Sequence, residues 1–173
     1  MGKHGVVIWF TGISGSGKTT LANMLYEYFQ GKGVLVERLD GDLVRAMFPQ
    51  TGFTKEERDA HIKRVGELAA GKERAGAVVV CSFISPYRQG RREVRAICRN
   101  FVEVYVKASV AMCEKRDVKG LYRKARGGEI KHFTGLDDPY EEPEAPEIVV
   151  DTDVETVEES FLKIVEWLSR ESS

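Results

Sequence analysis

Residues 12–19 read Gly-Ile-Ser-Gly-Ser-Gly-Lys-Thr, a glycine-rich octapeptide closed by a lysine and a hydroxyl residue. Gly12, Gly15 and Gly17 allow the backbone to wrap a polyphosphate, and the N–H groups of Ile13, Ser14, Ser16 and their neighbours then point inward as an anion nest. Lys18 is spaced to reach the outer phosphates. The Thr19 hydroxyl, followed by Thr20, is spaced to reach the magnesium ion they carry. The glycines read G-x-x-G-x-G rather than the dinucleotide order G-x-G-x-x-G. The pattern therefore predicts binding of a nucleoside triphosphate.

A second group of residues has the chemistry of a phosphoryl acceptor site. Asp40-Gly41-Asp42 sets two carboxylates two positions apart. One can orient a hydroxyl and take its proton; the other can hold Mg²⁺, a cation that favours carboxylate and water oxygens. The same tripeptide is also ordinary turn chemistry. Arg45 and Arg58 have the planar fork that matches phosphate or sulfate, and equally suit a solvated surface. Phe53, after Gly52, is a core residue or a stacking platform. Ser85, before Pro86, is a helix cap or a hydrogen-bond donor to the transferred group. Nothing beside Ser85 in sequence would activate it as a nucleophile.

Strands and helices must alternate to place these residues. A buried strand is predicted over 6–11, ending at the glycine loop, and a helix over 18–30, stopped by Gly31 and Gly33. A strand follows over 34–39. Thr54 and Glu57 form a capping box opening a helix to about Ala75. The β-branched run 77–82 is the best central strand. A strongly basic helix is predicted over 88–99, a strand over 101–106 with Ser109 capping the next helix, and a short strand over 148–150. Asp153 opens a last helix with Val154, Val157, Phe161, Val165 and Leu168 on one stripe. Continuous apolar strands alternating with helices imply an α/β fold: three layers around a mostly parallel five-stranded sheet. In such sheets ligands gather at the carboxyl ends of strands, where the motifs above fall. The segment 119–146 has no clear periodicity, and a stretch that long is expected to be a functional lid. A basic run (Arg116, Lys119, Arg123, Lys124, Arg126, Lys131) starts just before it and fills its first half, and an acidic one (Asp137, Asp138, Glu141, Glu142, Glu144, with Glu147 just beyond) follows.

Composition removes other classes. The 173 residues fit a single domain, taken as 1–173. Lys plus Arg is 26 against 27 Asp plus Glu, a net charge of −1, so bulk charge does not direct the chain to nucleic acid or a membrane surface. No apolar run is long enough for a membrane span and no signal peptide is evident, so a cytoplasmic protein is expected. Cys81, Cys98 and Cys113 are odd in number and widely spaced, which reads as free thiols. No guanine-recognition tetrapeptide is present, and the chain is short for a motor ATPase. The residues alone leave a small-molecule kinase, a kinase of some nucleotide-linked acceptor, or a non-catalytic nucleotide-binding module.

Taken together, the phosphate loop, Asp40-Gly41-Asp42-Leu43-Val44-Arg45, Gly52-Phe53, Phe83-Ile84-Ser85-Pro86-Tyr87-Arg88, Lys119-Gly120-Leu121-Tyr122, Phe133-Thr134-Gly135 and Asp138-Pro139-Tyr140-Glu141 resemble the adenosine 5′-phosphosulfate kinase (adenylylsulfate kinase) family over residues 7–151. The resemblance implies ATP-dependent phosphorylation of the 3′-hydroxyl of adenylyl sulfate (APS) to PAPS, a step of sulfate assimilation, with ATP and Mg²⁺. It implies that Lys18 and residues 12–20 hold ATP together with Arg116. Asp42 would orient the 3′-hydroxyl, and Thr19 and Asp40 would hold Mg²⁺. Arg45 and Arg58 would bind the phosphosulfate, and Phe53 with lid-borne Phe133 would sandwich the adenine. Ile84, Ser85 and Lys119 would line the acceptor site. Ser85 would serve catalysis by hydrogen bonding, with direct in-line transfer and no phosphoserine. A homodimer and a functional link to ATP sulfurylase are implied as well. Two positions depart from the family pattern: Leu43 and His61 stand where it commonly has Asn, and the second of those is a substrate contact in the family.

Overall fold

The computed structural model describes residues 5–49, 52 and 54–171. The strands are β1 (Val6–Thr11), β2 (Val36–Asp40), β3 (Val78–Ser82), β4 (Phe101–Lys107) and β5 (Ile148–Asp151). The helices are α1 (Lys18–Gly31), α2 (Gly41–Met47), α3 (Lys55–Arg74), α4 (Arg88–Ile97), α5 (Val110–Arg116), α6 (Leu121–Arg126) and α7 (Val157–Glu171). The sheet runs β2-β3-β1-β4-β5 and every pairing is parallel. All five carboxyl ends therefore lie along one edge, and the middle place belongs to β1; β3 is interior beside it.

Successive side chains of a strand face opposite sides, which explains the two cores. Ile8 and Phe10 of β1 join Val80, Val104, Leu21, Leu25, Ile164 and Leu168 under α1 and α7. Val7 and Trp9 join Val79, Cys81, Val65 and Val94 under α3 and α4. The capping box of α3 forms in full, between the Thr54 hydroxyl and Glu57 N–H and between the Glu57 carboxylate and Thr54 N–H.

Several boundaries differ from expectation. Asp153 does not open the last helix: its carboxylate accepts from Ser109 N–H at 3.1 Å, and Thr156 caps α7 through Glu159. The buried stripe of α7 is Ser160, Ile164 and Leu168, while Val154 is 80% exposed. Helix α4 starts at Arg88 as expected but ends at Ile97, two residues short of Arg99. The 119–146 segment is not wholly irregular, since it contains α6, opened by Gly120. Its acidic end does not pair with the basic run before it. Glu144 pairs with Arg92, and Glu147 with Arg95 at 2.6 Å, on the basic face of α4.

Candidate active site

The phosphate loop leaves β1 at Thr11 and enters α1 at Lys18. Two of its glycines are sterically required. A Cβ at Gly12 would come within 2.5 Å of the Val106 carbonyl, and Gly17, just before the helix, has φ 104°. Lys18 is buried and folds back, its Nζ donating to the Ile13 carbonyl at 2.7 Å and toward Ser16 Oγ at 3.5 Å. Burial pulls its pKa from 10.5 down to about 7; Cys113 opposes the fall and the Lys119 ammonium adds to it. Thr19 and Thr20 are exposed on the first turn of α1.

Other elements brace this loop. Tyr122 of α6 donates its hydroxyl to Ser14 O at 2.7 Å. Thr152, in the turn after β5, donates to Ser16 O at 2.8 Å. Arg116 reaches Gly15 O at 3.2 Å and Thr152 O at 2.6 Å, so its guanidinium ties the loop to that turn. No local spacing marks Tyr122 or Thr152, because both reach the loop across more than 100 positions of sequence.

The two carboxylates at the end of β2 have different surroundings. Asp40 caps α2, Oδ1 accepting from Leu43 N–H at 2.9 Å, and Oδ2 lies 3.4 Å from Arg38 Nε. Asp42 stands in the first turn of α2 with its side chain 89% exposed, and its Oδ2 is 3.8 Å from Lys119 Nζ. Lys119 thus pairs with Asp42 and its charge is felt at Lys18, whose pKa it helps to lower. Thr19 and Asp40 offer a hydroxyl and a carboxylate, hard oxygen donors, and no group of three or more His, Cys, Asp or Glu among the described residues could hold a metal. That sparse set suits Mg²⁺, which keeps several waters and takes further oxygens from substrate phosphates.

On the acceptor side, Arg45 is half-buried on α2. His61 of α3 is buried edge-on to Phe83, with centroids 6.0 Å apart, and its Nδ1 has no hydrogen-bond partner. Burial first, then Arg45 and Arg64, lowers its pKa, so the ring is held neutral. Arg58 of α3 is engaged by the 119–146 segment: Nη1 donates to Thr134 Oγ1 at 3.2 Å and Asp138 Oδ2 at 3.0 Å, and Nη2 donates to His132 O. Phe133 is buried with Ile13, Cys113 and Tyr122, edge-on to Tyr122 at 4.9 Å. Phe53 lies outside the described residues.

Ser85, with φ 41°, is not a helix cap. Its Oγ accepts from Trp9 Nε1 at 3.0 Å and donates to Thr11 Oγ1 at 3.0 Å. The Thr11 hydroxyl in turn donates to the carbonyl of half-buried Ile84 at 2.7 Å and lies 2.8 Å from the Tyr140 hydroxyl. These partners are an indole and hydroxyls, none of them a base that would make Ser85 a nucleophile.

Residues 4–151 match the family model described as Adenylylsulphate kinase. The chain is 54% identical over 165 residues to an adenylyl-sulfate kinase of Rippkaea orientalis, an alignment covering 95% of this chain and 91% of that one. It is 52% identical over 162 residues to a probable bifunctional SAT/APS kinase of Sorangium cellulosum, covering 93% of this chain and 28% of that protein. The structure of the Mycobacterium tuberculosis APS kinase in complex with AMPPNP and APS superposes with a TM-score of 0.91 at 34% identity, over 97% of this chain and 99% of that one.

Proposed function

This chain belongs to the adenylylsulphate kinase family and phosphorylates adenylyl sulfate to PAPS at the expense of ATP; on that premise we propose how its residues divide the work. The phosphate loop and Lys18 hold the β- and γ-phosphates. Thr19 and Asp40 hold Mg²⁺, which when bound neutralises developing phosphate charge. Asp42 orients the 3′-hydroxyl of the acceptor and receives its proton as the new O–P bond forms and the β–γ bridge bond breaks. Arg45 and Arg58 take the phosphosulfate, Phe53 and Phe133 the adenine, and Ile84, His61 and Lys119 complete the acceptor wall. Segment 119–146 acts as the lid. Ser85 has its hydroxyl committed to Trp9 and Thr11, which favours direct in-line transfer.

The observation that carries this reading is the Lys119–Asp42 pair, with the Lys119 charge also felt at Lys18. It joins the phosphate loop, the lid segment and the carboxylate after β2 at one edge of the sheet. Lys119 pairs with Asp42 at 3.8 Å across 77 positions of sequence, and both side chains are solvent-accessible, so substrate can enter between them. The wider reading is a cytoplasmic homodimer that works beside ATP sulfurylase. No described helix is long and apolar enough to cross a membrane, the bifunctional relative carries SAT and APS kinase in one protein, and Val157 and Leu162 leave apolar surface on α7 for a second copy.

The test is ADP release with MgATP, with and without APS, with the nucleotide product identified. APS-dependent ADP together with PAPS is the expected result. Asp42→Asn should lower kcat by about a hundredfold or more, the range for loss of a general base, and leave ATP affinity within about twofold. Equal losses in both would make Asp42 a binding residue.

A further inference from the structure

Arg91 of α4 is 3% exposed, a rare position for an arginine. Its guanidinium is used on every side. Nε pairs with Glu103 Oε1 at 3.0 Å, Nη1 donates to Ser85 O at 2.5 Å, and Nη2 donates to Glu141 O at 2.5 Å. The same guanidinium lies 5.6 Å from the centroid of the Tyr140 ring. Its two carbonyl partners belong to segments 56 positions apart: the turn after β3 and the return leg of the lid segment. Glu141 N–H donates to Pro86 O at 2.8 Å, which brings the two segments side by side.

Both segments need holding. Ser85 sits at φ 41°, a left-handed conformation that a serine adopts only when its surroundings impose it. The return leg carries Phe133 and Tyr140, whose hydroxyl reaches back to Thr11 at the mouth of the phosphate loop. We infer that Arg91 is a positioning residue for the acceptor: a single buried guanidinium locks the Ser85 turn and the Phe133-bearing leg of the lid in one register. This rests on the reading above, in which Ile84 and Phe133 line the acceptor site. A planar fork meets two carbonyls and a carboxylate from three separate nitrogens; an ammonium, whose three donors leave one nitrogen, does not span acceptors so placed. Glu103 neutralises the buried charge and is itself fixed from the other side by Arg95 at 3.4 Å.

The experiment measures KM for APS, KM for ATP, kcat and Tm for Arg91→Lys. Lysine keeps the positive charge opposite Glu103 and loses the bridge. KM for APS should rise about tenfold or more, with KM for ATP within twofold. A purely structural role would lower Tm and the active fraction, hence kcat, and leave both KM values in place; that result overturns the inference. Should Arg91→Lys not fold, Tyr140→Phe removes the hydroxyl end of the same leg. It should raise KM for APS several-fold with KM for ATP unchanged, and an unchanged APS value overturns the proposal. Phe133→Ala is run beside them. If KM for APS ignores Phe133→Ala, the acceptor reading itself falls and the inference with it. If it responds to Phe133→Ala and ignores Arg91→Lys, only the inference falls.

Discussion

Lys18 shows how far one residue's chemistry depends on what surrounds it. Its motif announces a phosphate ligand, yet before any phosphate arrives its ammonium is buried, bonded to its own loop, and brought down to about pKa 7. A triphosphate returns a dense negative charge to that spot and favours the protonated form. Binding must therefore take up a proton wherever free Lys18 is neutral, which is above about pH 7. ATP affinity should fall as pH rises, by on the order of tenfold between pH 7.5 and 9, because each unit above the free pKa costs up to a factor of ten. The measurement is titration of MgATP by calorimetry in two buffers of different ionisation enthalpy, which also counts protons. No proton uptake at pH 8.5 would mean Lys18 is already charged in the free protein.

The 119–146 segment is built from short pieces of backbone that side chains cap. Asp137 accepts from His132 N–H at 2.7 Å and Phe133 N–H at 2.6 Å, and Arg58 clamps the same loop from α3. His132 holds φ 57° inside that loop, a conformation in need of such support. Asp137→Ala should raise KM for APS several-fold and speed proteolysis within 119–146, with little change in Tm because the loop is peripheral to both cores. An unchanged KM with faster cleavage would separate loop order from acceptor binding. Around this loop the local sequence signals run out. Strand β1 and helices α1 and α3 were legible almost to the residue, because a glycine loop, a capping box and apolar periodicity are local signals. Helices α2 and α6, of seven and six residues, have no stripe of their own. One depends on the Asp40 cap at its start, the other on Tyr122 lying against the phosphate loop. At the site, the motif residues could be named, but their partners could not. Arg58 reads as a free anion clamp until Asp138 is seen opposite it, and Ser85 as a helix cap until Trp9 is. Tyr140 and Thr152 act through contacts between segments distant in the chain, and Arg91 through a bridge whose far end, Glu141, lies 50 positions away.

Across the whole molecule, stability and chemistry occupy different places. Five parallel strands put the phosphate loop, Asp40–Asp42 and the Ser85 turn on one edge, while the two cores lie on the faces of the sheet. On the α1/α7 face, Ile164 is fully buried among Leu21, Leu25, Phe10 and their neighbours, and it belongs to an element that supplies none of the residues placed at the phosphate loop or the acceptor. Truncating it removes methylene groups and leaves a cavity that close-packed neighbours only partly fill. Ile164→Ala should therefore cost about 2–5 kcal/mol of unfolding free energy, a large share of the roughly 5–15 kcal/mol available to a domain. Its KM values for ATP and APS should nevertheless stay within twofold of the parent at a temperature where the variant is folded. Ile164→Val, costing about 0.5–1.5 kcal/mol, gives the same comparison with a safer margin. Urea unfolding followed by steady-state kinetics on the same preparations checks both halves. A raised KM for ATP in either variant would mean that packing under α7 is transmitted through α1 to the phosphate loop, so the edge that does the chemistry would not be independent of the face that carries the fold.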